Sequence, residues 1–341
     1  MRVLIDTTYS RRAPFSGTAV YLDRLQRALA ELDEIEVVTV FNERRRHPAG
    51  GGLGSVRNLA ADRWWMAVEL PRLAERAEAE VVHHPLPARA RTPLPQVITV
   101  HDLAFERLPR HFDTAYRLYA HRTHRAAARA ASRVICVSET TARDARSLWG
   151  IEEGRIAIAR HGPGQEPAPG GGERTHFLYV GDDEPRKNLQ ALLAAYSQYR
   201  QAVPKPLPLV LAGSAAATGP GVALVKNPGA ERLAELYAGA VALVHLSLYE
   251  GFGLPPLEAM HAGTPVLAAA VPGVTEVCEN AARYVDPGDP AGVARSMAEL
   301  AASPELQAEL AERGRPRAAL FSWSASARAH LNAYSLAQRH R

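Results

Sequence analysis

Cysteine is nearly absent from this chain, with Cys136 and Cys278 the only two, far apart and without metal-ligand spacing. That excludes a disulfide framework and argues against a zinc site, leaving both thiols to be read as small buried apolar groups. Long apolar runs are missing too. No stretch of about 18 apolar residues occurs, and the opening "MRVLIDTTYS" enters a strand-like run with no apolar signal core, so a cytoplasmic protein is expected. An excess of one charge is also lacking: 40 basic against 36 acidic residues give +4, too balanced over 341 residues for a nucleic-acid binder.

What is present is ordinary folded-protein composition, 47% hydrophobic and 22% charged, on a chain long enough for two cores. Short apolar runs such as "RVLID", "IEVVTV", "AEVVHH", "QVITVHD" and "SRVICVSE" alternate with helical patterns. Continuous Val/Ile/Leu runs of this kind suit strands of a parallel sheet covered by helices on both faces. The Gly- and Pro-dense "HGPGQEPAPGGGERT", His161 to Thr175, reads as a linker, after which the same alternation resumes. The expected fold class is therefore α/β, with two doubly wound parallel-sheet domains at residues 1–165 and 166–315. Residues 316–341 form a closing helix, after a break around Gly314 and Pro316, that packs back on the first domain.

Ligands of open α/β sheets sit at the carboxyl ends of strands, so two such domains facing one another predict a site in an interdomain cleft. Four elements fall at strand ends: Gly17, His101 with Asp102, "GDDEPRKN", and "YEGFGLPPLE". In the last, a helix opening near Pro255 would aim backbone N–H groups at an anion, and Gly251 and Gly253 leave room for its approach. Glu258, placed in the first turn of that helix, and Glu250 then flank a diphosphate-sized cradle as acceptors for hydroxyl groups. After the strand "FLYVG", which ends at Gly181, Arg186 and Lys187 can neutralise a leaving diphosphate. The acidic run Asp182, Asp183, Glu184 is read as solvated, with no metal.

"EGFGLPPLE", two glutamates with seven residues between them, resembles the signature of glycosyltransferase family 4, and the resemblance extends to "FLYVGDDEPRKN", "VICVSETTARDARSLWG", "IAIARHGPG" and "FSWSASARAHLNAY". It implies the GT-B fold, two facing Rossmann-like domains, and retaining, metal-independent transfer from a nucleotide diphosphate sugar, with no other cofactor. By that resemblance Glu258 holds the donor ribose and Glu250 contacts the donor sugar. Gly251, Phe252, Gly253 and Leu254 offer amides to sugar and phosphate, and Arg186 and Lys187 clamp the diphosphate. His101 stands beside the donor sugar and Gly17 approaches a phosphate, the alternative for Gly17 being a plain helix start capped by Ser16 or Thr18. Asp102, Ser138 and Glu139 are candidates for the acceptor side, with an N-cap the competing role of Ser138.

The transferred group is expected to be a hexose of mannose type, moved to a glycan, a lipid-linked or a small-molecule acceptor. A nucleotide-sugar epimerase or a silent sugar-nucleotide binder are the rival functions. The contracted segment "SAAATGPGVALVKNPGA" leaves recognition of the nucleotide base undefined. Arg44 to Arg46 with Trp64 and Trp65 fit either a peripheral contact at the cytoplasmic membrane face or a loop and a helix that turns its aromatics inward.

Overall fold

The computed structural model describes residues 1–14, 16–46, 53–165, 173–214 and 217–339. Part of the expected linker (166–172) and the "HPAGGG" end of the basic loop lie outside the described residues. The chain divides into two compact units. The first comprises Met1–Glu106, Phe112–His161 and Trp323–Arg341; the second comprises Gly162–Ser322 with the short piece Arg107–His111.

In the first unit, β1 (Arg2–Asp6), β2 (Glu36–Val40), β3 (Val81–His84), β4 (Gln96–Val100), β5 (Arg133–Cys136) and β6 (Ile156–Ile158) form one parallel sheet in the order β2-β1-β3-β4-β5-β6. The second unit holds β7 (His176–Val180), β8 (Leu209–Gly213), β9 (Val222–Lys226), β10 (Ala240–His245), β11 (Val266–Ala269) and β12 (Ala282–Val285), ordered β12-β11-β10-β7-β8-β9. Counted from its own first strand, this second order is the dinucleotide-binding one, 3-2-1-4-5-6 read from the opposite edge. Central strands β3, β4, β5, β10 and β11 are buried along their whole length, whereas edge strands β2, β6 and β9 are partly exposed, which is why the central runs are the more apolar. The contracted segment after β8 still supplies edge strand β9.

Side-chain caps set where several helices begin. Ser16, Asp113, Ser138 and Ser303 accept from backbone N–H groups of Ala19, Tyr116, Thr141 and Leu306, at 3.2, 3.0, 2.9 and 3.1 Å. The expected break at Gly314 and Pro316 does not occur: the helix Pro304–Ala318 runs through both and the chain turns only after Ala318. Pro316 sits in the last turn, where little of the helix remains to be disrupted. Gly314 lets the helix lie against Met260, whose side chain a Cβ would meet at 3.2 Å.

The helix Trp323–Gln338 packs in the first unit, its Ala327, Ala333 and Tyr334 sharing a core with Tyr21, Leu22 and Leu25 of the helix Gly17–Ala30. A buried polar chain fastens it. His330 Nδ1 donates to Ser326 O at 2.7 Å, so its Nε2 must accept from Tyr21 OH at 2.8 Å. Tyr21 then accepts from Thr99 Oγ1 (2.9 Å), Thr99 from His83 Nε2 (2.8 Å), and His83 Nδ1 from Tyr334 OH (2.9 Å). Every member is paired only while both imidazoles stay neutral, and burial holds them so, pushing His330 down to about 4 and His83 well below its usual value.

Candidate functional site

In the second unit the strand order reverses between β7 and β10, which pair with each other, and the crevice beyond their carboxyl ends is the place for a ligand in such a sheet. β7 runs out at Gly181, and a single 3-10 turn, Pro185–Lys187, then presents both cations before Asn188, at φ 57°, opens the helix Leu189–Ala202. β10 runs out at His245 and delivers Glu250. The two connections are stitched together by Leu248 N–H donating to Arg186 O at 2.8 Å.

Lys187 Nζ donates to Glu250 Oε1 at 2.7 Å and Arg186 Nη1 to Glu250 Oε2 at 3.2 Å, while Arg186 Nε donates to Glu184 Oε2 at 2.7 Å. The three side chains that meet here are only 9 to 14% exposed. Burial works to raise the Glu250 carboxyl, but the charge of Lys187, and with it that of Arg186, outweighs burial and holds the group well below the usual carboxylate range. Two partly desolvated cations thus rest on a carboxylate at the sheet's switch point, and another anion could compete for them.

The turn after Glu250 bends at Gly253, whose φ of 107° suits glycine, and the helix Leu254–His261 follows. Pro255 and Pro256 have no N–H to give, so the N–H groups at this helix entrance come from Gly253 and Leu254. Gly273, in the helix Pro272–Cys278, lies directly against this turn: a Cβ there would stand 2.2 Å from Glu250 O. Phe252 sends its ring into the unit, 5.7 Å from Phe321 and edge-on, so it can serve a ligand only through its backbone. Glu258 is the fifth residue of its helix and not in the first turn, because the helix starts at Leu254. It is 5% exposed and its Oε2 accepts from Tyr237 OH at 2.7 Å. Burial, and then the Glu258 charge, raise the Tyr237 phenol well above its usual value, which keeps it a donor.

The remaining sequence candidates belong to the first unit. Gly17 is the first residue of its helix, capped by Ser16, and space around its Cα is open within 4 Å. His101 Nε2 donates to Pro85 O at 3.0 Å, which leaves Nδ1 as the unprotonated nitrogen, and its ring meets Tyr21 edge-on at 4.8 Å. Burial lowers His101 to about 4, so it is neutral at ordinary pH. Asp102 Oδ1 accepts from Ala104 N at 2.9 Å, turning the chain into a short helix. Ser138 is the N-cap of the helix Glu139–Trp149, and Glu139 stands 3.6 Å from Arg160 on the surface.

Sequence reasoning missed His245, Tyr237 and Gly273. The first two read as core residues of "VALVHLS" and "RLAELYAGA", and only tertiary pairing puts them beside the glutamates. Of the acidic run, Asp182 accepts from Ser214 and Glu184 pairs with Arg186; among the described residues no group of three His, Cys, Asp or Glu side chains is arranged to hold a metal ion. In the membrane candidate the two tryptophans part. Trp65 is buried with its Nε1 on Asp6 Oδ2 at 2.8 Å, and Trp64 is 47% exposed. Arg44 pairs with Glu69 and Arg45 with Asp62. Among the described residues no helix is long and apolar enough to cross a membrane.

Residues 167–317 match the family model of glycosyl transferases group 1, and residues 15–163 match that of Glycosyltransferase Family 4. The O-antigen chain mannosyltransferase B of Escherichia coli is 33% identical over 174 residues, 47% of this chain and 46% of that one. A D-inositol 3-phosphate glycosyltransferase of Streptomyces avermitilis is 39% identical over 116 residues, 33% of this chain and 25% of that one. The chain thus spans between a quarter and a half of the length of these curated relatives. In fold, it matches sucrose-phosphate synthase from Thermosynechococcus elongatus with a TM-score of 0.82 over 98% of both chains, at 21% identity.

Proposed function

The chain belongs to the glycosyltransferases of group 1 and family 4, and on that footing we propose that it moves a hexosyl group, mannose-like, from a nucleotide diphosphate sugar to a hydroxyl of a glycan, lipid-linked or small-molecule acceptor. The observation that carries this reading is the meeting of Arg186 and Lys187 over Glu250 at the switch point of the second sheet. These cations exchange Glu250 for the donor diphosphate and stabilise the charge that grows on it as the bond to the sugar breaks. Glu258, fixed by Tyr237, accepts from the ribose hydroxyls, and the Gly253 and Leu254 amides face the phosphate. Glu250 holds the transferred sugar.

The acceptor oxygen forms a bond to the anomeric carbon on the face the diphosphate leaves, and a departing phosphate oxygen takes the acceptor's proton. Configuration is therefore retained without a protein nucleophile, and the protein contributes position and electrostatics. No metal takes part in this scheme.

The test is a panel of GDP-mannose, UDP-glucose and dTDP-glucose screened by thermal shift, followed by an assay of nucleoside diphosphate release with candidate acceptors. Release that depends on an acceptor, persists in chelator and gives a product of unchanged anomeric configuration supports the reading. Release without any acceptor favours an epimerase. No stabilisation by any donor overturns it.

A second reading concerns the first unit's surface. A depression of about 630 Å³ is lined by Arg63, Arg89 and Arg91 with Met66 and Pro93. None of these three arginines has an ion-pair partner among the described residues. A π-helical turn, Trp65–Glu69, frees Met66 O to accept from Arg91 N at 2.8 Å and so holds the wall in place. Such a basic face suits the surface of an anionic bilayer at which a lipid-linked acceptor would be met. Sedimentation with vesicles containing phosphatidylglycerol tests this, and equal recovery with neutral vesicles would refute it.

A further inference from the structure

His245 has no part in the scheme above, yet it is a deeply buried polar group beside Glu250. Its side chain is 2% exposed, and Nε2 lies 3.1 Å from Glu250 Oε1, the oxygen already bonded to Lys187. The distance suits a hydrogen bond but the direction does not, and Nε2 has no aligned partner. Two residues on, Ser247 Oγ is buried and unpartnered as well. Leaving a buried polar atom in this way is costly, so a state of the protein that satisfies it is favoured.

The proposed function supplies such a state. Once a donor diphosphate draws Lys187 and Arg186 to itself, Glu250 remains buried and ionised without its two cations, an arrangement that is strongly unfavourable unless another donor replaces them. His245 is already in reach of the vacated oxygen.

We propose that His245 is a positioning residue for Glu250: on donor binding its imidazole N–H takes over Oε1 and keeps the carboxylate in place against the transferred sugar. This rests on the diphosphate-site reading. The groups that act on the ring are Glu250 from its own connection and Lys187 and Arg186 from the one after β7. In the free protein burial keeps the imidazole neutral, and the two cations add to this against the pull of Glu250. When the donor's negative charge offsets the cations, the balance moves towards the imidazolium. Donor binding then takes up a proton near neutral pH.

The experiment uses whichever of GDP-mannose, UDP-glucose and dTDP-glucose stabilises the wild-type chain. These nucleotide sugars have no phosphate ionisation between pH 6 and 8, so a proton taken up belongs to the protein. Calorimetric titration at pH 7 in two buffers of different ionisation enthalpy should show fractional proton uptake. In His245→Asn the uptake should vanish and donor affinity should fall about tenfold. His245→Phe, which fills the space without polar atoms, should behave as His245→Asn does.

If both variants unfold early, the imidazole ¹⁵N shifts of wild-type His245 decide: they should move towards the imidazolium position on saturation with donor. Unchanged shifts, or variants that bind donor with wild-type affinity and proton uptake, overturn the inference. A wild-type chain that binds none of the three overturns the diphosphate reading instead.

Discussion

Acidification from pH 7 to pH 5 should weaken the first unit much more than carboxylate titration alone would. His83, His101, His161 and His330 gather around Tyr21 and Trp323, with burial the main cause that lowers each: to about 4 for His101 and His330, and well below the normal value for His83 and His161. All four are neutral in the fold across this window, whereas in the unfolded chain each titrates near 6.5. The unfolded state therefore binds more protons, and stability falls as the pH falls. Integrating over two pH units gives about 1.8 kcal/mol per histidine, or about 7 kcal/mol for the four at most, a large share of the 5–15 kcal/mol that domains usually have.

The assay follows from where the tryptophans lie. All four of the chain, Trp64, Trp65, Trp149 and Trp323, belong to the first unit, so their fluorescence in a urea titration reports that unit selectively. With a slope of about 3 kcal/mol per M, the midpoint should drop by about 2 M between pH 7 and pH 5. His330→Gln removes one titrating ring and should shrink the pH difference by about a quarter. A midpoint that moves by less than about 0.3 M would refute the assignment of neutral, buried imidazoles.

Lys187→Ala should lose roughly a hundred- to a thousandfold in turnover while remaining folded, since it removes one of the two cations proposed to face the leaving group; near wild-type kcat would refute the clamp. Tyr237→Phe deprives Glu258 of a charge-assisted hydrogen bond of about 1.5–3 kcal/mol and should raise KM for the donor by about tenfold with little change in kcat; an unchanged KM would separate Glu258 from the ribose. Gly273→Ala must displace either the Glu250 carbonyl or its own helix, at a cost of about 1–3 kcal/mol, so calorimetry should show a lower unfolding temperature together with weaker donor binding.

Strands were legible where both faces are buried, because nothing polar interrupts runs such as "VALVH" and "HFLYV". The glutamate pair and the Arg-Lys turn were legible because their chemistry is local in sequence. What sequence left dark is non-local. That β10 pairs with β7, and so brings Glu250 onto Lys187, depends on a sheet order that no local pattern states. His245 and Tyr237 carry no signal of their own for the same reason. The helix through Gly314 and Pro316 was misjudged because packing against Met260 outweighs local propensity. Adjacent positions of a helix lie about 100° apart, so Trp64 and Trp65 do not share a face, and one is buried while the other is exposed.

The assignment of Trp323–Gln338 to the first unit has a consequence for how the chain is made. During vectorial synthesis, Tyr21, His83 and Thr99 leave the ribosome long before His330 and Tyr334 exist, and the whole of Gly162–Ser322 emerges in the interval. The later-born unit is almost contiguous and can close while the earlier one still waits with a naked groove. A released chain truncated after Ser322 should therefore show protease protection in its second half first.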